Sequence, residues 1–504
     1  MPQDPGKFGS DFRDELMRSV LTEPLRSQIV ENPDQSFDVI ITLNEFYRGG
    51  LDEARDLVLK WIKSRDPKAG TVSGYVFASL TGRQIADLVA EQRQLLLAEG
   101  KSAPWIYRIW EDSEVSHCLS RSLPTVKADA AHRSFGAYGS GIVWAVLDSG
   151  IDGSHVHFAQ KTHSVYGPMN TLTVPKPVEH DDFTPGSPEP LVDQLGHGTH
   201  VAGIIAGAWE SPDGREQQVG ATEMRSDADD ATVKIRIGLT GISGVAPRCR
   251  LVSMKVIADR TDKATGRTAG KGKVSWILRA IERIQQINEN GRKLRIHGAN
   301  LSLGYGFDPR WFACGQSPLC VEVNRLVKSG VCVVVAAGND GHGSWMDETG
   351  RVRTGYHDLS INDPGNADLA MTVGATHRDM PHTYGVSYFS SRGPTGDGRL
   401  KPDLVAPGER IVSCAAGSEK DKFTSALAND GTQAPVLYCE QSGTSMAAPH
   451  VSGAIAAFLS VRGEFVGQPE KVKQIFLSNT IDLGRERYFQ GYGLLDLMKV
   501  LQAI

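Results

Sequence analysis

"IVWAVLDSGID", residues 142–152, sets six consecutive apolar residues in front of an aspartate and two small residues. A short apolar run with no polar alternation reads as a strand buried on both faces, which is the environment of a parallel sheet covered by helices. The run delivers Asp148 to its carboxyl end, followed by Ser149 and Gly150. A carboxylate there is costly unless a donor receives it, and a histidine N–H is a common partner. An aspartate that merely caps a turn is the plainer reading of the same residue.

Runs of the same kind recur at 250–257, 298–303, 331–337 and 369–375. Between the first two of these, "KVSWILRAIERIQQINENG" places Ile277, Ile281 and Ile284 on one helical face. The expected fold is α/β, a doubly wound, mainly parallel sheet. Such sheets bind substrates at the carboxyl ends of their strands, so the residues just after each run are the first candidates for function. Two longer polar segments, about 209–238 and 415–438, read as surface insertions.

The first hundred or so residues have their own pattern. "SFDVIITL" (36–43), "GYVFASL" (74–80) and "WIYRIW" (105–110) read as strands. "LDEARDLVLKWIK" sets Ala54, Leu57, Val58, Trp61 and Ile62 on one helical face, and "TGRQIADLVAEQRQLL" is a second amphipathic helix. This is a small N-terminal α+β domain, a sheet against two helices. The polar stretch beginning "EDSEVSHCLSRSLP" (111–124) leads away from it, giving domains of 1–119 and 120–504.

Composition limits the partners. With 54 basic and 59 acidic side chains and a net charge of -5, the chain carries no footprint for nucleic acid or an anionic membrane. No run approaches the roughly 20 apolar residues that span a bilayer, and the N-terminus lacks an apolar signal core. The expected location is cytoplasmic, with leaderless export left open. Seven cysteines do not form a disulfide framework in 504 residues. Cys332 reads as a packing residue; Cys314 and Cys320 flank a loop and read as free thiols, a local disulfide or metal pair being the alternative.

Three more strand or helix ends carry chemistry. "GHGTHVAGIIAG" (196–207) starts a small-residue helix with His197; His197 and His200 have metal-ligand spacing, but no further ligands accompany them. "VVVAAGNDG" (333–341) delivers Asn339 into a glycine-bounded turn, where an amide either bonds to its own turn or donates to a developing oxyanion. "SMAAPHVSGAIAAFL" (445–459) puts Ser445 at a helix N-terminus, as a cap or as a nucleophile favoured by the helix dipole. Pro449 is expected within the first turn of that helix.

"VLDSGID", "HGTHVAG", "AAGN" and "SGTSMAAPHVSG", in that order, resemble the subtilisin-type serine proteases, with lesser matches in "SSRGPTGDGRLKPDLVAPG" and "GYGLLDL". The resemblance implies an endopeptidase with Asp148, His197 and Ser445 as a catalytic triad and Asn339 as oxyanion donor. It implies protein or peptide substrates paired along Ser302, Leu303 and Gly304. The first pocket would be bordered by Asp340 and by "NDPGN" (362–366), in which Asp340 and Asp363 are either specificity carboxylates or solvated loop residues. No cofactor is required for the chemistry. Structural calcium is a further expectation, but acidic "SDADDA" (226–231) lacks a recognisable ligand spacing.

The N-terminal domain resembles the family's propeptide, an intramolecular inhibitor and folding aid, with self-cleavage expected after Leu119; a permanent N-terminal domain is the alternative. An α/β-hydrolase esterase would need GxSxG and the order Ser, Asp, His, whereas here Ala447 occupies the last glycine position and the order is reversed. A catalytically silent binding module of the same fold is opposed by the presence of all four groups.

Overall fold

The computed structural model describes residues 20–99, 104–111, 121–160, 169–186, 188–225, 232–261, 268–308, 310, 313–346, 351–428, 431–432 and 434–504. Leu119 and 226–231 lie outside them. The chain divides into two units, residues 1–116 with 132–136, and the remainder.

In the first unit, strands Ser36–Leu43, Tyr75–Thr81 and Ile106–Glu111 form an antiparallel sheet, joined by a short edge strand, Gly70–Val72. Helices Gly50–Ile62 and Gly82–Glu99 follow the expected segments, and a helix Glu23–Glu31 is added that the sequence reading did not place. Ala54, Val58, Trp61 and Ile62 are buried, with Leu57 packed at their margin. The alternating burial of Ser36–Leu43 shows that one face of the sheet carries this core.

The second unit is built on a seven-stranded sheet whose paired strands are all parallel. From one edge the order is Leu404–Glu409, Met371–His377, Cys332–Ala336, Gly298–Leu301, Val143–Asp148, Arg250–Lys255 and Asp181–Asp182. From Val143–Asp148 the chain goes first to one side and then to the other, so the order reverses beside this strand. All six of its residues are buried. Val143, Ala145 and Leu147 face the helices Val274–Ile287 and Pro318–Lys328, where Ile277, Ile281 and Ile284 meet Leu319, Val323 and Leu326. Asn300, of the alternate set, faces the helix Thr444–Val461 through Ser452.

Two expectations are corrected. The polar segments near 209–238 and 415–438 are not surface insertions: Thr232–Leu239, Gln217–Arg225, Tyr438–Gln441 and Ile411–Cys414 form a second sheet in that order. Its cover is the helix Gly417–Ala426, and Ala221, Ala415, Phe423, Leu427, Val436 and Cys439 make its core. Half the side chains of an edge hairpin face water, which lowers the mean hydropathy and hides the strands. The second correction concerns Pro449. The helix begins at Thr444, so the proline is its sixth residue and lies beyond the first turn.

Cys314, Cys320 and Cys332 are buried free thiols. Three histidines of the second unit are fully buried and neutral: burial pushes His157 and His200 down to about 3 and His450 to about 4. His450 Nδ1 donates to the Met446 carbonyl while Nε2 accepts from Ser122 Oγ, each at 2.8 Å. The unfolded chain protonates such groups below its ordinary 6.5 and the folded chain does not. Stability is therefore expected to fall as pH drops below about 6.5, continuing toward pH 3 to 4. Thermal midpoints measured across this range should show it, with a shallower decline for His450→Gln; equal slopes in the two proteins would contradict the assignment.

Candidate active site

Asp148 ends the central strand and is 1% exposed. Its Oδ1 accepts the Ser149 N–H and the His197 Nδ1–H, each at 2.8 Å, while Oδ2 has no hydrogen-bond partner among the described residues. His197 opens the helix His197–Ile205, so its ring is aimed by a helix start set directly on the strand end. That contact needs a glycine at 198: a Cβ there would lie 2.2 Å from the Gly150 carbonyl oxygen and 3.0 Å from Asp148 Cβ. With Nδ1 committed as donor, the neutral ring leaves Nε2 as an acceptor facing away from the carboxylate. Burial opposes protonation of His197, but Asp148, by charge and hydrogen bond, with Asp193 and Glu419, outweighs it and holds the imidazole above its ordinary value.

Ser445 and Asn339 form the other half. Ser445 is the second residue of its helix, and its Oγ caps no backbone N–H. It donates instead to the Ser302 carbonyl at 3.1 Å, which removes the capping reading. Asn339 does not close its own turn either. Its Oδ1 accepts Thr444 N at 2.9 Å and Thr444 Oγ1 at 3.1 Å. With the oxygen held, the amide nitrogen is the free end of an exposed side chain beside Gly443 and Ser445.

A hydrogen bond joins Asp148 to His197 directly, Asn339 is tied to Ser445 only through its chain neighbour Thr444, and no bond links His197 to Ser445. Strand register relates them: Asn300 pairs with Val146, so two residues further on Ser302 stands level with Asp148 in the adjoining strand. Adjacent strands lie about 5 Å apart, which sets both halves on one rim of the sheet. A rotation of the Ser445 hydroxyl off Ser302 changes its partner without moving backbone.

Pro449 explains the local build. A proline here supplies no N–H to the carbonyl four residues earlier, which is that of Ser445. Ser302 Oγ donates to this carbonyl at 2.8 Å and receives Asn300 Nδ2 at 2.9 Å, and Asn300 Oδ1 takes Ser452 Oγ at 2.9 Å. The helix thus exchanges one internal bond for a tie to the neighbouring strand. Thr444, Asn300, Ser302 Oγ and Ser452 were invisible as functional residues in the sequence; the misplaced proline was the one available signal.

The remaining site residues divide. Ser302 is buried, Leu303 half-buried, and Gly304 and Asp340 exposed. Asp363 is not a solvated loop carboxylate: it is fully buried, its backbone pairs with Tyr305 and its Oδ1 accepts Asn366 Nδ2. Asn362 instead abuts both Gly304 and Gly338. Among the described residues no three His, Cys, Asp or Glu side chains group as a metal site, and His200 Nε2 is taken up by the Ile411 and Cys439 carbonyls.

Residues 139–494 match the model of the subtilase family. The chain is 29% identical over 396 residues to subtilisin E of Bacillus subtilis, covering 78% of this chain and 74% of that one. It is 28% identical over 399 residues to an intracellular serine protease of Paenibacillus polymyxa, covering 78% and 90%. The alkaline protease of Alkalihalobacillus alcalophilus is 30% identical over 357 residues, covering 70% and 63%.

Removing the Ser302 hydroxyl leaves the Ser445 carbonyl without a donor, so Ser302→Ala should destabilise the fold by about 1–3 kcal/mol. Adding Pro449→Ala returns a helical N–H to that carbonyl and should recover part of the loss. Urea midpoints of the single and double variants measure this, and simple additivity would refute the exchange.

Proposed function

The chain belongs to the subtilase family, and on that premise we propose that it is a serine endopeptidase using Ser445, His197, Asp148 and Asn339. Ser445 Oγ attacks the scissile carbonyl, its proton passing to His197 Nε2 and later to the leaving amine. Asp148 keeps the ring in the tautomer with Nδ1–H and stabilises the cation that forms. The tetrahedral oxyanion is received by the Asn339 amide and the Ser445 N–H. The observation that supports this best is the 2.8 Å Asp148–His197 bond beneath an imidazole whose other nitrogen is free to accept.

The main chain of 302–304 lies beyond the end of the strand Gly298–Leu301, where an extended peptide would add as a further strand. Pairing through backbone groups tolerates many sequences, which leaves selection to the first pocket and to exposed Asp340 at its border. The N-terminal unit acts on this reading as an intramolecular inhibitor, removed by cleavage after Leu119.

A fluorophosphonate probe should label Ser445 in the wild type and nothing at that site in Ser445→Ala. Peptide hydrolysis should fall by about 10⁶ in kcat for Ser445→Ala or His197→Ala. For Asn339→Ala the loss should be about 10² to 10³. Because only the neutral imidazole accepts the proton, the acid limb of kcat/KM should lie above pH 6.5. An unlabelled, inactive wild type would refute the proposal.

Maturation is read separately by intact mass. A shortened wild type beside a full-length Ser445→Ala is expected; identical full-length species would remove the self-cleavage step and leave the protease reading intact.

A further inference from the structure

The proposed chemistry leaves one buried carboxylate without a role. Asp193 lies four residues before His197, in the loop that leads into its helix, and is 5% exposed. Its Oδ1 accepts Ser149 Oγ at 2.9 Å, Gly196 N at 2.8 Å and Leu195 N at 3.2 Å. Its Oδ2 accepts Thr199 N at 2.8 Å and Thr199 Oγ1 at 2.6 Å. Ser149 Oγ in turn receives Gly198 N at 2.9 Å.

None of these donors is a cation, so every bond to this buried carboxylate comes from a neutral group, a costly arrangement for a charge. Capping the helix would account for one or two of the bonds, not five. The donors also have a pattern: one is the residue directly after Asp148, and the others flank His197 on both sides. The carboxylate therefore fixes the strand end to the first turn of the histidine helix, the two pieces of backbone that set the distance between Asp148 and the imidazole.

We infer that Asp193 is a positioning residue for His197, fixing its helix start against the Asp148 strand and placing a second buried carboxylate at the first turn of its helix. The inference rests on the proposed role of His197 as proton acceptor. In that step the hydroxyl proton of Ser445 moves to Nε2, and the imidazolium formed faces Asp148 directly and Asp193 through space. The charged and titratable groups around the ring are Asp148 on the strand, Asp193 on the loop, Glu419 on the helix Gly417–Ala426, and neutral His200 on its own helix. Burial works against the cation, and Asp148, Asp193 and Glu419 favour it. Burial holds the Asp193 carboxyl above its ordinary value, and the bonds from Thr199, Gly196 and Ser149 offset part of that rise.

The test compares full-length wild type, Asp193→Asn and Ser149→Ala by peptide kinetics against pH, with thermal midpoints measured alongside. Asp193→Asn should lower kcat by about tenfold or more with little change in KM, and its acid limb should move down by about half a pH unit or more. Ser149→Ala breaks the bridge and keeps the charge, so kcat should fall while the limb stays in place. A folded Asp193→Asn with wild-type kcat and limb would overturn the inference, as would losses in both variants that only follow their melting midpoints. If Asp193→Asn does not fold, Ser149→Ala decides alone, and an unchanged kcat overturns the proposal. Failure of the protease reading shows up differently, as a wild type unlabelled at Ser445. In that case the ¹⁵N titration of His197 still decides, because its pKa should be lower in Asp193→Asn than in wild type.

Discussion

A negative charge held at the closed end of a fully apolar strand is the constraint from which the rest of the second unit follows. Val143–Asp148 is buried along its whole length, and its terminal carboxylate is withdrawn from water. Ionised groups in that position cost several kcal/mol unless donors surround them. The backbone N–H of Ser149 and the imidazole of His197 serve here, and the imidazole arrives only because a helix begins on top of the strand end. Gly198 follows from the same closeness, since any side chain there would strike the strand. The interaction that makes the buried aspartate tolerable is also the one that gives His197 its tautomer and its raised proton affinity.

The serine side of the rim is solved by a different exchange. A helix that starts at Thr444 and carries a proline at its sixth position gives up one internal bond. The freed carbonyl is that of Ser445, and it is taken by Ser302 at the end of the neighbouring strand. The bonds from Ser452 to Asn300 and from Asn300 to Ser302 extend this tie from the helix into the sheet. Thr444 turns the amide of Asn339 so that its donor end stays free. Ser445 and Asn339 are thus fixed through the side chains of Ser302, Asn300, Ser452 and Thr444, which keeps this half of the rim preorganised.

Much of this was legible in the sequence because the strongest signals were local. Continuous apolar runs marked the central strands, and helical spacing marked Ile277, Ile281 and Ile284. Edge strands were not legible. Leu404–Glu409 contains Pro407, which reads against a strand and is tolerated at the margin of a sheet. The second sheet was misread as polar insertion because its members are far apart in sequence and half solvated. Asp193 and Thr444 carry no pattern of their own, and their importance appears only when distant donors converge on them. Asp363 stayed open between a specificity carboxylate and a solvated loop residue because its pairing with Tyr305, in a residue that is fully buried, is nonlocal.

The central claim is that Asp148 sets both the tautomer and the basicity of His197. The direct measurement is the ¹⁵N chemical-shift titration of the His197 ring in wild type and in Asp148→Asn. The account predicts a neutral wild-type ring protonated on Nδ1 with a pKa above 6.5, and a lower pKa once the carboxylate is replaced. A ring protonated on Nε2, or a pKa unmoved by the substitution, would contradict it.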